Sequence, residues 1–252
     1  MTARRTVLAG LSVSLALVAC SAPARAAETR IAVAANFAEP AQEIAARFEA
    51  TTGHRAVLSF GSSGQFFAQI ANGAPFDVFL SADAERPIKV EADGLSVRGS
   101  RFTYATGRLV LWSRTPGLVD GGGAILARGG FDKLALADPK TAPYGLAAVE
   151  TLRRLGLSDQ LSPRLVTGTS ITQAYQFTDT GAAELGFVAL SQVVGHDRGS
   201  RWIVPATHHS PIAQQAVLLK RGADNAAARA FMVFLKGPEA RAIIRRYGYE
   251  VG

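Results

Sequence analysis

The chain has 252 residues, 48% hydrophobic and 19% charged, which suits a packed core and leaves no room for a long disordered tract. It carries 27 Lys and Arg against 20 Asp and Glu, and its single cysteine is Cys20. These counts exclude a disulfide scaffold, and they exclude a thiolate nucleophile or a cysteine metal site beyond residue 20.

In chain order, "MTARR" is a basic opening, residues 7–19 are apolar, and Ala24-Arg25-Ala26 offers small residues around a cleavage point. The apolar run falls short of the ~20 residues of a membrane span, so residues 1–26 read as an export signal cut after Ala26. Leu17-Val18-Ala19-Cys20 also has the form of a lipoprotein signal, with Cys20 as an acylated N-terminus, and Arg4-Arg5 leaves twin-arginine export open. Without the segment's three arginines, 24 basic residues face 20 acidic ones, a net +4. That is too mild for a nucleic-acid footprint, and no later apolar stretch is long enough to cross a membrane.

From there the rhythm is strand, short turn, helix. Strands are expected over 31–35, 55–60 and 76–81, with helices over 39–52 and 66–72 and a third from the cap Asp83 to about residue 93. "RFTYATGRLVLWS" is longer than an ordinary strand and reads as a crossing between two lobes, followed by a loose "GLVDGGGAILARGG". The pattern resumes with a "KLALAD" strand, helices in "APYGLAAVETLRRLG" and "TSITQAYQFT", and an "ELGFVAL" strand. "PIAQQAVLLKR" suits a crossing back, and the C-terminus is helical over 225–236 and on to 247. The expected fold is α/β, with two parallel-sheet lobes joined by two crossing strands: 27–106 plus 214–252, and 107–213. A cleft between such lobes is where a small ligand binds.

Four expected junctions put small or polar residues at a helix start: Ala35-Asn36, Gly61-Ser62-Ser63-Gly64, Ala142-Pro143-Tyr144-Gly145 and Gly168-Thr169-Ser170-Ile171. Helix starts leave N–H groups unpaired and carry about half a positive charge. Ser62, Ser63 and the Asn36 amide would add neutral donors, and Pro143 suits a first turn. None of the four holds Lys, Arg, Asp or Glu. A site with no acceptor for a ligand proton leans toward a fully deprotonated tetrahedral dianion rather than phosphate. The same residue types are also ordinary helix caps, worth ~1 kcal/mol each.

Other groups read as structural. Gly61-Ser62-Ser63-Gly64 misses the Gly-x-Ser-x-Gly elbow of a hydrolase by one position. The histidines that a triad would need lie at a helix–strand turn (His54) and in polar loops (His196, His208-His209). Adjacent histidines on a strand point to opposite faces, so His208-His209 is no metal pair. Asp77 and Asp83 read as a strand residue and a cap, and Trp112 and Trp202 as packing residues of the second lobe. "RAIIRRYG" reads as a surface helix with Ile243 and Ile244 inward.

"AVAANF", "SFGSSGQFFAQIANGAPFDVFLSAD", "ADPKTAPYG", "ELGFVAL" and "FLKGPEARAIIRRYGY" resemble the periplasmic molybdate-binding proteins of ABC transporters over nearly all of the mature chain. The resemblance implies a bilobal type II periplasmic-binding fold that closes over molybdate or tungstate and delivers it to a membrane permease and its ATPase. It implies no catalysis, no cofactor and no direct coordination of molybdenum by the chain, which would act as a monomer. The family's donor positions fall on Asn36, Ser63, Tyr144 and Ile171, with Ala35, Ser62 and Ser170 as secondary candidates. Many members have serine where Asn36 stands and a tyrosine donor where Ala189 stands. Asn36 with Tyr144 resembles a subgroup that uses asparagine instead. A binding protein of the same fold for another tetrahedral oxyanion, such as sulfate, is the alternative.

Overall fold

The computed structural model describes residues 26–195 and 198–252. Residues 1–25 of the expected export signal, with Arg4-Arg5 and Cys20, and also His196, lie outside the described residues. Nineteen strands and α-helices follow one another along the chain. They are β1 (Glu28–Ala34), α1 (Ala38–Thr52), β2 (Arg55–Gly61), α2 (Ser63–Ala71), β3 (Val78–Ser81), α3 (Glu85–Ala92), β4 (Phe102–Gly107) and β5 (Leu109–Ser113). Then come α4 (Ile125–Arg128), β6 (Leu134–Ala137), α5 (Pro143–Arg154), α6 (Ser158–Leu161), β7 (Leu165–Gly168), α7 (Ile171–Asp179), β8 (Leu185–Ala189) and β9 (Ser200–Ile203). β10 (Ile212–Leu218), α8 (Ala226–Lys236) and α9 (Pro238–Arg246) complete it.

The strands form two five-stranded sheets, ordered β2-β1-β3-β10-β4 and β7-β6-β8-β5-β9. Each sheet with its helices is one lobe. In each, four strands run in one direction and a single strand is reversed between two of them: β10 between β3 and β4 in the first, β5 between β8 and β9 in the second. The sheets are therefore mixed rather than parallel as the βα rhythm predicts. The reason is that the chain crosses between lobes, and the strand that enters each lobe from the other, β5 into the second and β10 back into the first, runs against the direction of the βα strands. The expected long strand over 101–113 divides at Arg108 into β4 and β5, which belong to different sheets.

Period-2 alternation splits each core into two layers. Ile31 and Val33 pack with Phe48 and Phe231 on one face of the first sheet, while Ala32 packs with Phe66 and Phe79 on the other. In the second lobe Leu109 and Leu111 face one layer, and Val110 and Trp112 the other, where Trp112 stacks on Tyr175. Trp202 is buried in the second-lobe core as expected.

Local chemistry fixes the ends. Gly53 closes α1 in the left-handed conformation at φ 71°, the usual glycine stop. Asn225 caps α8 by accepting the N–H groups of Ala227 and Ala228. Ala84 immediately precedes α3, yet Asp83 still acts as a cap, since its carboxylate accepts the Arg86 N–H at 3.1 Å. Asp77 is structural: its buried carboxylate takes the Arg30 N–H at 2.8 Å and the Asn225 amide at 3.2 Å, tying β1 to the start of α8. Among the described residues, no helix is long and apolar enough to cross a membrane.

Candidate functional site

Every one of the four junctions lies at the C-terminal end of a parallel strand, where open α/β sheets place ligands. Ala34 pairs with Gly61 in the first sheet and Ala137 with Gly168 in the second, so in each lobe two strands end level and hand over to two helical segments side by side. Between the lobes these ends line a small, partly open cavity. Its first-lobe lining is Ala34, Ala35, Asn36, Gly61, Ser62, Ser63 and Ala82; the second lobe adds Ala142, Pro143, Tyr144 and Ile171. The space is far smaller than a drug-sized pocket, so it suits a ligand of no more than a few atoms. No lining residue carries a charged side chain. An anion there is met by N–H dipoles at helix starts and by hydroxyls, in a low-dielectric setting where such dipoles act strongly.

Six of the seven residues singled out from the sequence line this cavity: Ala35, Asn36, Ser62, Ser63, Tyr144 and Ile171. Ser170 does not, because its hydroxyl is the cap of α7 and accepts the Gln173 N–H at 3.3 Å. Ser63 Oγ accepts the Ala82 N–H at 2.9 Å, which leaves its own proton free to donate. Ser62 is 3% exposed, and its Oγ has no hydrogen-bond partner among the described residues. A buried hydroxyl left unpaired costs ~1–3 kcal/mol, a cost that a ligand oxygen in the cavity would remove.

Asn36 differs from expectation. Its Nδ2 donates to Gln214 Oε1 at 3.0 Å and to the Tyr249 hydroxyl at 2.9 Å. A primary amide has two N–H donors, and both are committed here. The side chain therefore holds the turn in place, and what this residue offers the cavity is its backbone N–H in a first helical turn. Tyr144 follows the same logic. Its hydroxyl accepts from Gln214 Nε2 at 3.2 Å and is hydrogen-bonded to Tyr249, while its backbone N–H sits in the first turn of α5 behind Pro143.

These contacts belong to a buried network that joins the lobes and that sequence reasoning missed. Gln214 on β10 also accepts from the Tyr104 hydroxyl of β4 at 3.0 Å. The Ser191 hydroxyl, from the segment after β8, reaches the Asn36 carbonyl at 2.8 Å, as does Tyr249. Burial pushes Tyr104 and Tyr144 well above the ordinary tyrosine value and Tyr249 up to about 12, so all three stay neutral donors at physiological pH. Gly107, at the crossing, makes room for the network: a Cβ there would lie 2.1 Å from the Tyr144 hydroxyl and 2.7 Å from Gln214 Nε2. The one available signal was the polar pair Gln214-Gln215 inside an apolar strand.

Ala189 is buried, with its N–H bonded to the Gln192 side chain at 3.0 Å, and it does not line the cavity. No histidine lines the cavity either, so Ser62 and Ser63 have no general base within it. Among the described residues, no group of three His, Cys, Asp or Glu is placed to hold a metal ion.

Comparison with known proteins agrees with this fold. Residues 29–250 match the family model described as bacterial extracellular solute-binding protein. The molybdate-binding protein ModA of Rhodobacter capsulatus is 54% identical over 245 residues, covering 97% of each chain. ModA of Azotobacter vinelandii is 54% identical over 236 residues, covering 92% of this chain and 93% of that one. The solved structure of the Azotobacter vinelandii periplasmic molybdate-binding protein superposes with a TM-score of 0.87 at 47% identity, covering 89% of this chain and 99% of that one.

Proposed function

The chain belongs to the bacterial extracellular solute-binding proteins, and from that premise we propose that it captures molybdate, and tungstate with it, as the solute-binding component of an ABC importer. The ligand sits in the cavity between the lobes. Backbone N–H groups of Asn36, Ser63, Tyr144 and Ile171 and the hydroxyls of Ser62 and Ser63 hold its oxygens. The observation that carries this reading is the lining itself: helix starts from both lobes and no charged side chain, with one buried hydroxyl left unpaired. Donors divided between lobes couple binding to closure, a hinge motion about the crossings near residues 106–107 and 213–214. On this reading lobe one (27–106 plus 214–252) and lobe two (107–213) meet at these crossings, with Gly107, Ile212 and Ala213 kept in the first sheet by β4 and β10.

In this role the protein is exported to the periplasm, with its signal cleaved after Ala26 or, in the lipoprotein alternative, before an acylated Cys20. It works as a monomer, carries out no covalent chemistry, needs no cofactor, and passes the anion to a membrane permease driven by its ATPase. Substitution at Ser63 tests the site. Ser63→Ala removes one pre-oriented donor and is expected to weaken molybdate binding by about 1–3 kcal/mol. Ser63→Asp sets a like charge against the dianion and is expected to abolish binding. Calorimetric affinity retained in the aspartate variant would sink the assignment.

A further inference from the structure

Toward solvent, the cavity shares Ala82 and Pro143 with an open groove whose lining includes Asp83, Arg86 and Lys140. Two hydrogen bonds cross between the lobes at this boundary. Arg86 Nη2 donates to the Lys140 carbonyl at 3.0 Å, and the Gly64 N–H donates to the Thr141 carbonyl at 2.9 Å. Gly64 directly follows Ser63, and Thr141 directly precedes Ala142, so the bonds tie one anion junction to another.

Both sides are held in shape. In the second lobe the Asp138 carboxylate takes the Lys140 N–H at 3.0 Å and the Thr141 hydroxyl at 3.3 Å, which fixes the turn that presents the two carbonyls. In the first lobe the Arg86 side chain is only 15% exposed, and its Nη1 is paired with Asp83. Asp83 is itself anchored by the Ser81 hydroxyl at 2.9 Å and the Arg86 N–H at 3.1 Å. A planar guanidinium held at both ends loses little further freedom when it bridges. The close approach needs glycine at 64: a Cβ would lie 2.9 Å from Thr141 Cα and 3.2 Å from Arg86 Nε.

We propose that Arg86, set by Asp83, is a positioning residue that clasps the lobes at the mouth of the cavity and governs how fast the captured anion leaves. This rests on the molybdate reading above. Arg86 does not line the cavity, so it acts on the ligand through the clasp and not by contact. Its charge is offset by Asp83, which leaves it little part in drawing the anion in. Release toward the groove requires both crossing bonds to break, whereas capture proceeds from an arrangement in which they are already open, so the effect falls on the dissociation rate.

The test loads the mature chain with radiolabelled molybdate and chases with excess unlabelled molybdate, the capture rate being measured separately by rapid mixing. Arg86→Gln is expected to release label about tenfold faster or more, the loss of a charge-assisted hydrogen bond, with capture within about twofold of wild type. Gly64→Ala, which keeps Arg86 but holds the junctions apart, should also release faster. Glu85→Gln, on the same helix but paired with Lys89, should change neither rate. Should Arg86→Gln fail to fold, Asp83→Asn withdraws the anchoring charge and is expected to speed release as well. Folded Arg86 and Asp83 variants that release at the wild-type rate overturn the clasp, as does slowed capture with unchanged release. A wild-type chain that retains no label overturns the ligand assignment instead, and the clasp as a molybdate gate with it.

Discussion

Gln214→Leu strikes the centre of the inter-lobe network while nearly keeping the side-chain volume. Gln214 is fully buried; its Oε1 serves Asn36 Nδ2 and the Tyr104 hydroxyl, and its Nε2 serves the Tyr144 hydroxyl. Leucine strips an acceptor from two buried donors, each worth about 1–3 kcal/mol. Asn36 Nδ2 keeps Tyr249, and Tyr104 has the Ser81 carbonyl at 3.4 Å as a weaker substitute, which puts the total nearer 2–4 kcal/mol. For a chain of this size that is a fall of about 5–15 °C in Tm, read by circular dichroism without ligand. Asn36 and Tyr144 stand in opposite lobes, so molybdate affinity should drop as well, by about tenfold for each 1.4 kcal/mol lost in the liganded arrangement. A Tm within about 2 °C of wild type together with unchanged affinity would refute the view that this network sets the cavity.

Three further outcomes follow from the same geometry. Ser62→Ala removes a hydroxyl that has no partner in the protein alone, so ligand-free stability should hold or rise by up to about 1 kcal/mol while molybdate binding weakens by about 1–3 kcal/mol. A parallel fall in both, by denaturant titration and calorimetry, would make the hydroxyl structural. Gly107→Ala places a methyl 2.1 Å from the Tyr144 hydroxyl and should cost about 1–3 kcal/mol through overpacking, seen as a lower guanidinium midpoint; an unchanged midpoint would show that the crossing yields freely. Tyr249 keeps its proton to about 12 in the fold and loses it near 10.0 when unfolded. Between those values the unfolded chain binds fewer protons, so stability is full below pH 10 and falls as pH rises toward 12, by up to about 3 kcal/mol from this residue alone. Tyr249→Phe should flatten that decline, and an equal decline in the variant would contradict it.

The four strand–helix junctions were legible because each is local: a β-rich run, a short small-residue turn and an amphipathic helix lie within about a dozen residues of one another. Helix ends held to within a few residues wherever a cap or a glycine marked them, as at Gly53 and Asn225. β7 and β9 were missed: each has four residues, both are edge strands, and Leu165–Gly168 is mostly half-exposed, so neither shows an apolar run. The reversed direction of β5 and β10 was not legible, because strand direction within a sheet is decided by partners far away in sequence. The network is the extreme case: Asn36 meets Gln214 across 178 positions and Tyr249 across 213. Apart from the polar pair Gln214-Gln215 inside an apolar strand, nothing local distinguishes these side chains from solvated ones. The Asn36 amide was assigned to the ligand for the same reason, since its two actual acceptors lie at the far end of the chain. Arg86 was passed over because it stands outside all four junctions; only the folding of α3 against the 138–141 turn brings it to the cavity mouth.

The central claim is that neutral donors from both lobes hold a small tetrahedral dianion, and calorimetric titration of residues 27–252 tests it most directly. Dialysed protein is titrated with molybdate and, separately, with sulfate. The account expects one tight site for molybdate and no measurable heat from sulfate at matched concentration. Sulfate binding with molybdate silent would preserve the cavity but contradict the assigned anion, and silence from both would contradict the site itself.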